Sequence, residues 1–207
     1  MTINDIIKTR KIEEVLHFTT NNALVGILRQ GLCKSRKLLK EDESLTYILK
    51  LNTEKEFDRE WKGYVNLSIS RINTALFEYS TRVNHTFKWR ILSFSPEILT
   101  HPGVHFTTTN NAYWQHLKRG EGPVALEELF AQCVMGKYGV EINRLPNMAD
   151  SWTTDVQAEV LYPQSVSMQY LTRIYVRTPE EADSVSGKFA TFELPTIPTE
   201  VAPDKFY

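Results

Sequence analysis

The sequence predicts an α+β fold, and three observations lead there. Strand-like runs with alternating apolar residues and amphipathic helical runs are interspersed along the whole chain. The strand-like runs are short and irregularly spaced, with no internal repeat, low-complexity tract or Gly/Ser linker between them. The composition is 42% hydrophobic, 11% aromatic and 24% charged, that of an ordinary globular protein. At 207 residues the chain is long enough to bury a real core, and residues 1–207 are expected to form one domain.

Residues 13–19, EEVLHFT, read as a short strand. NNALVGILRQGL follows as a short amphipathic helix, with an asparagine near its start and Gly31 as its stop. Residues 34–62 are polar and charged, and the spacing of Leu45, Ile48 and Leu49 favours some helix within them. GYVNLSISR (63–71) has the period-2 content of a strand, and NTALFEYSTRV a helix beginning near Asn73. KWRILSFSPEIL is a strand with a turn at Ser95-Pro96, and GVHFTTTNN another ending in a polar turn. AYWQHLKRG (112–120) and PVALEELFAQCVMGKYG (123–139) are expected to be helical. ADSWTTD is a turn-rich loop, QAEVLYP a strand, and MQYLTRIYVRT holds another strand before an acidic helix, PEEADSVSGKFA. The proline-rich tail, 193–207, is expected to be extended, packed along a surface or loose.

The formal net charge is −1, so no global basic field points to nucleic acid or membrane, although a local patch is compatible with it. The N-terminus lacks a signal pattern, and no window approaches 18 consecutive apolar residues. Cys33 and Cys133 form no CxxC pair and are expected to be free thiols, so a cytoplasmic protein without a membrane partner is expected.

Glu159 is the least expected residue. It sits in the apolar-rich run VQAEVLY, where an unpaired buried charge is costly. It is either an edge-strand carboxylate in a salt bridge or a carboxylate set on a rigid strand at the floor of a cleft. The loop NMADSWTTD feeds into that strand and could hold a second substrate. His17, in LHFT, begins a strand–helix–turn unit that could present polar side chains at a strand end. Arg71 closes YVNLSISR, either as a solvated arginine or as a planar fork for a phosphate, with Ser68, Ser70 and Asn73 beside it.

Other patterns are less specific. HPGVH (101–105) has no cysteine or carboxylate at ligand spacing, so a metal site is not expected. The five histidines make no HExxH, and there is no P-loop or GxGxxG. KSRKLLK (34–40) is either a solvated face or, through Lys34, Arg36 and Lys37, a contact for a strand of nucleic acid. Tyr64, Trp89, Tyr113, Trp114 and Trp152 could stack on bases, or could be core.

Four of these blocks together resemble the DarT family, toxins that ADP-ribosylate bases of single-stranded DNA. They are LHFTTNNALVGILRQGL, YVNLSISRINTALF, FTTTNNA and DVQAEVLYPQSV; they stand in family order and span about 17–176. The resemblance implies an ADP-ribosyltransferase fold, in which a split, curved β-sheet with flanking helices grips NAD in a cleft. It implies NAD as ADP-ribose donor, with Glu159 the catalytic glutamate and Arg71 the catalytic-site arginine. His17, Thr19, Gly31, Leu32, Ser70 and Phe77 would join Arg71 in holding NAD. Trp152, Lys34, Arg36 and Lys37 would contact the DNA strand. It further implies a cognate antitoxin, a macrodomain or another ADP-ribosyl-guanine hydrolase. Thymidine and guanosine both stay open as acceptor, as do an RNA or protein acceptor and a non-enzymatic nucleic-acid-binding domain.

Overall fold

Residues 1–49, 60–113 and 115–207 are described by the structure, a computed structural model. In chain order the elements are α1 (Ile3–Thr9), β1 (Val15–Thr20), α2 (Asn21–Gln30), β2 (Leu32–Lys34), α3 (Arg36–Glu41), α4 (Thr46–Leu49), β3 (Tyr64–Ile69) and α5 (Thr74–Val83). There follow β4 (Trp89–Phe94), β5 (His105–Thr107), β6 (Arg119–Glu121), α6 (Gly122–Glu128), β7 (Cys133–Met135), β8 (Glu141–Asn143) and β9 (Glu159–Pro163). The last are β10 (Ser165–Ser167), β11 (Leu171–Val176), α7 (Pro179–Thr191) and β12 (Thr199–Val201).

Eight strands form one sheet in the order β12-β11-β4-β1-β3-β9-β5-β6, and two two-stranded sheets, β10-β2 and β7-β8, flank it. Strand alternation sends successive side chains to opposite faces, and both faces are apolar. Val15, Leu92 and Ile174 point into a core closed by Leu24 and Ile27 of α2, Leu126 of α6, and Val185 and Phe189 of α7. Their neighbours Leu16, Ile91 and Tyr175 point into a second cluster with Ile72, Phe77, Trp89 and Phe206. All six residues of β4 are buried, as suits a central strand covered on both sides.

Local chemistry sets the helix ends. Thr20 caps α2 by accepting from the Ala23 N–H, and Gly31 stops it in the left-handed region at φ 66. Asn73 caps α5 through the Leu76 N–H. Thr178 caps α7, with Pro179 in its first turn.

The sheet is split at its middle. β1 pairs with β4 over its full length. It pairs with β3 only at Val15↔Ile69 and Leu16↔Ser68. Past Leu16 the ladder stops, and the Asn66 carbonyl accepts a hydrogen bond from His17 Nδ1 at 3.0 Å instead.

Several sequence expectations are corrected. The described residues of 112–118 are turn and loop leading into β6 rather than helix, because the chain pairs back on the preceding segment: the Thr108 N–H donates to the Lys118 carbonyl at 3.1 Å. The helix expected over 123–139 ends at Glu128. Val134 then buries its side chain between exposed Cys133 and Met135, a strand pattern that outweighs helix propensity, and Gly139 turns at φ 72. In GVHFTTTNN the strand is His105–Thr107, and it ends in the polar turn expected. Within 34–62, α3 and α4 are helical, and residues 50–59 lie outside the described residues, as does Trp114.

The tail is fastened rather than loose. β12 adds to the sheet edge in parallel with β11, Ile174 opposite Thr199. Phe206 is buried, with its ring 5.8 Å from that of Phe77. Lys205 Nζ lies 2.5 Å from Glu14 Oε1, while Glu14 Oε2 accepts from Ser93 Oγ at 2.9 Å and Tyr175 OH at 2.7 Å. Burial, then the Glu14 carboxylate, push the Tyr175 phenol up to about 12, so it remains a donor. Phe206→Ala is expected to cost about 3–5 kcal/mol of unfolding free energy, as for other buried aromatics. Urea unfolding followed by tryptophan fluorescence checks this; a change below about 1 kcal/mol would mean the tail contributes little.

Candidate active site

The split opens into a cleft of about 200 Å³. Glu159, His17, Thr19, Leu32, Lys34 and Arg36 all line it. Glu159 opens β9, and Thr107 of β5 is its register partner. Its side chain is 4% exposed. One oxygen, Oε1, accepts from Asn110 Nδ2 at 3.1 Å. The other, Oε2, accepts from Asn66 Nδ2 at 3.1 Å and from the backbone N–H of Asn111 at 2.9 Å. A buried carboxylate is tolerated when hydrogen bonds to its charged form replace water, and three amide donors do that here.

The cradle is itself held in place. Asn110 Oδ1 accepts from the Ala112 N–H at 3.1 Å, which fixes the amide so that its NH₂ must face Glu159. Thr107 Oγ1 donates to the Thr109 carbonyl at 2.8 Å, and Thr109 Oγ1 to Asp155 Oδ2 at 2.6 Å. Asp155 Oδ1 accepts from the Gln157 N–H at 2.8 Å. Five consecutive polar residues, Thr107 to Asn111, are therefore buried as one knot between two loops. The sequence reading took this run for a polar turn and missed Asn66, Asn110 and Asn111. An asparagine inside the strand YVNLSI was the available signal, of the same kind that marked Glu159.

His17 stands where the strands part. Burial pulls its pKa down, but the Cys33 sulfur beside it and the Asn66 carbonyl push it up, and the net direction is upward. Ser35, Asn73 and Trp89 also line the cleft, each nine-tenths or more buried. Ser35 Oγ, Asn73 Nδ2 and Trp89 Nε1 have no hydrogen-bond partner among the described residues. Asn73 Oδ1 is occupied by the Leu76 N–H at 3.0 Å, so Nδ2 is unambiguously the unused group. Unpaired buried polar groups are costly, and a polar ligand in the cleft would satisfy these three. Among the described residues Glu159 is the only acidic side chain lining the cleft, whereas His17, Lys34 and Arg36 are basic. The arrangement suits a ligand with anionic groups and one cationic centre. No group of three His, Cys, Asp or Glu among the described residues could hold a metal ion, and none of their helices is long and apolar enough to cross a membrane.

Arg71 does not line this cleft. The register Leu67↔Val160 puts the end of β3 beside the start of β9, so Arg71 and Glu159 lie at the same end of the sheet. The Arg71 guanidinium stacks on Trp152, 3.9 Å from the ring centroid. Burial, then the charge of Arg144, lower its pKa. Arg144 clamps the same loop, donating to the carbonyls of Trp152 at 2.6 Å and Ala149 at 2.8 Å. Between Ile69 and Arg71 the chain turns tightly, the Arg71 N–H reaching the Ile69 carbonyl at 2.6 Å, with Ser70 at φ 59. Such a conformation is strained for a non-glycine residue.

The remaining candidates fall elsewhere. Gly31 caps α2 outside the cleft lining, and Lys37 is exposed. Phe77 is 1% exposed in the second core, packed edge-on against Phe18 and Trp89. Trp89 is thus core on its ring faces, Tyr113 carries Lys137 Nζ at 5.2 Å, and Cys33 and Cys133 are both free.

Asn110→Ala is expected to destabilise the fold by about 1.5–3 kcal/mol, because a charged acceptor loses a donor. In a Glu159→Ala background the same change should cost much less, and a double-mutant cycle in urea measures the difference. Additive effects would mean the cradle is not coupled to the carboxylate. Arg144→Ala should speed amide hydrogen exchange across 149–153 while β4 stays protected, read by mass spectrometry.

A family model described as DarT, ssDNA thymidine ADP-ribosyltransferase, matches residues 16–207. Among solved structures, Thermus sp. 2.9 DarT in complex with NAD+ superposes with a TM-score of 0.61 at 14% identity, covering 95% of this chain and 98% of that one. The same protein in complex with ADP-ribosylated ssDNA gives 0.61 at 15% identity, covering 95% and 97%. Thermosipho africanus DarTG in complex with ADP-ribose gives 0.59 at 16% identity, covering 94% of this chain and 51% of that one. No curated protein sequence matches significantly. The split sheet is therefore the fold of the DarT structures, and with a family model spanning nearly its whole length the chain belongs to the DarT family of single-stranded-DNA ADP-ribosyltransferases.

Proposed function

We propose that this chain transfers one ADP-ribosyl group from NAD to thymidine in single-stranded DNA, with residues 1–207 acting as one catalytic unit. The observation that carries the reading is Glu159: a carboxylate lining the cleft, hydrogen-bonded and oriented by Asn66, Asn110 and the Asn111 N–H. The match to the ssDNA thymidine ADP-ribosyltransferase family and the NAD+ and ADP-ribosylated ssDNA complexes of Thermus DarT support it.

The residues suit the chemistry. In NAD the nicotinamide ring carries a positive charge while bonded to ribose C1′ and leaves as neutral nicotinamide, so positive charge passes to that carbon as in glycoside cleavage. The C1′–N bond breaks, nicotinamide departs with its electron pair, and a thymine nitrogen forms the new bond to C1′. The proton on that nitrogen passes to Glu159 and on to water. Before that transfer the Glu159 carboxylate, hydrogen-bonded to the ribose 2′-OH, stabilises the growing charge, a contribution of about 3–4 kcal/mol for such a group. His17 and Thr19 contact the ribose side of NAD, and Arg36, in the cleft lining, contacts the DNA strand, whereas Lys34 Nζ is engaged by Asp42 at 3.0 Å. Arg71 is always charged and so a poor base. Its role is to hold Trp152, and with it the loop that meets the acceptor base. An unpaired strand presents that base without the unstacking cost of a duplex.

We also propose that the chain is the toxin of a pair whose antitoxin removes the ADP-ribosyl group. Its likeness to Thermosipho africanus DarTG supports this.

Mass spectrometry of thymidine-containing oligonucleotides incubated with protein and NAD should show one added ADP-ribosyl group. Glu159→Gln should reduce transfer by about a hundredfold or more. It should keep most of the thermal stabilisation by NAD, which for a ligand at a hundred times its Kd is about 2.7 kcal/mol. Transfer surviving in the variant would overturn the assignment of Glu159; transfer to guanosine alone would overturn the acceptor.

A further inference from the structure

At the rim of the cleft, Trp61, His105 and Arg119 cluster around Tyr64 of the cleft wall, and the four belong to none of the hydrophobic cores. The Trp61 ring lies 4.9 Å from Tyr64 and 5.1 Å from His105, and Tyr64 lies 5.6 Å from His105. The Arg119 guanidinium sits over the Trp61 ring at 4.3 Å. All four are only half-buried. Every neighbour of Trp61 in this group has a polar or charged tip, which is not how a satellite core is built.

The sheet register places the cluster on the face that carries Glu159. Residues directly opposite in a ladder share a face, as do residues two apart in a strand. Thr107 faces both Glu159 and Arg119, while His105 faces Leu161, two residues along from Glu159. Tyr64 faces Pro163 on the same side, and it lines the cleft. The connection continues through hydrogen bonds. Arg119 Nε donates to Asn111 Oδ1 at 2.9 Å, and the Asn111 N–H donates to Glu159 Oε2 at 2.9 Å.

We propose that Trp61, Tyr64, His105 and Arg119 are a docking track for the acceptor strand, on which unpaired bases flanking the modified one stack on the way into the cleft. The proposal rests on the single-stranded-DNA reading above. Three features select a strand of unpaired bases as the occupant. Half-buried aromatic rings interleaved with a guanidinium suit unpaired bases and their phosphates. The track is continuous with the site where the reacting base must arrive. A duplex hides the base faces that such a surface holds. The Arg119–Asn111 link would also let an arriving strand steady one of the three donors to Glu159.

The test uses the full chain and a fluorescently labelled thymidine-containing oligonucleotide. Trp61→Leu should raise the oligonucleotide Kd, and its KM in the transfer assay, by about tenfold, with thermal stabilisation by NAD unchanged. Trp61→Phe should restore most of the affinity, since a phenyl ring still stacks. Photo-cross-linking of an iodouracil-substituted strand to the unaltered chain should map to Trp61 or Tyr64, a readout that requires no variant. Normal oligonucleotide affinity in Trp61→Leu, or cross-links confined elsewhere, would overturn the track while leaving the transfer reading intact. Failure of the unaltered chain to bind or modify any single strand would overturn both, and NAD stabilisation in the same samples shows that the protein is folded.

Discussion

A single buried carboxylate organises this molecule. Out of water the Glu159 carboxylate needs amide donors, and they come from two parts of the chain: Asn66 from β3, and the Asn110 side chain and Asn111 backbone from the turn after β5. That turn must then be buried too, and its own polar groups need partners, which Thr107, Thr109 and Asp155 supply among themselves. The requirement thus spreads outward from one charge through two loops and three strands. It explains why five polar residues in a row are inaccessible where five apolar ones would be the ordinary choice.

The split between β1 and β3 is the second constraint, and it depends on a side chain. A sheet that stops pairing in its interior leaves backbone groups unpaired. His17 takes over the Asn66 carbonyl, so one residue both closes the ladder and lines the opening. Asn66 is shared in the same way, its carbonyl held by His17 and its amide by Glu159. The two residues that the sequence singled out first are therefore linked through one that it did not.

Legibility in the sequence followed the range of the interactions. Helices with local caps were readable: Gly31 and Asn73 mark the ends the structure uses. Glu159 and His17 were readable because a polar residue in an apolar strand contradicts its surroundings. The described residues of 112–120, and 129–139, read locally as helix because their strands are only three residues long and are held by pairing with β5 and β8, which lie outside those segments. Arg71 was recognisable as a residue of interest at a strand end. Its stacking on Trp152 spans the chain and has no local signature. The buried Thr107–Asn111 run was opaque for the same reason, since polar composition normally signals exposure.

The short edge strands have a consequence for how the protein behaves in a crowded solution. The large sheet is apolar on both faces, and an open edge on such a sheet is a template for another chain to add a strand. Both edges here, β12 and β6, are only three residues long, and β6 reads Arg-Gly-Glu. A neighbouring molecule finds little backbone to pair with and opposite charges at the ends of what there is. Losing the tail would lay bare β11, six residues long and rich in β-branched and aromatic side chains. The last few residues therefore shield the β11 edge, and proteolysis there would expose a strand to which another chain could add.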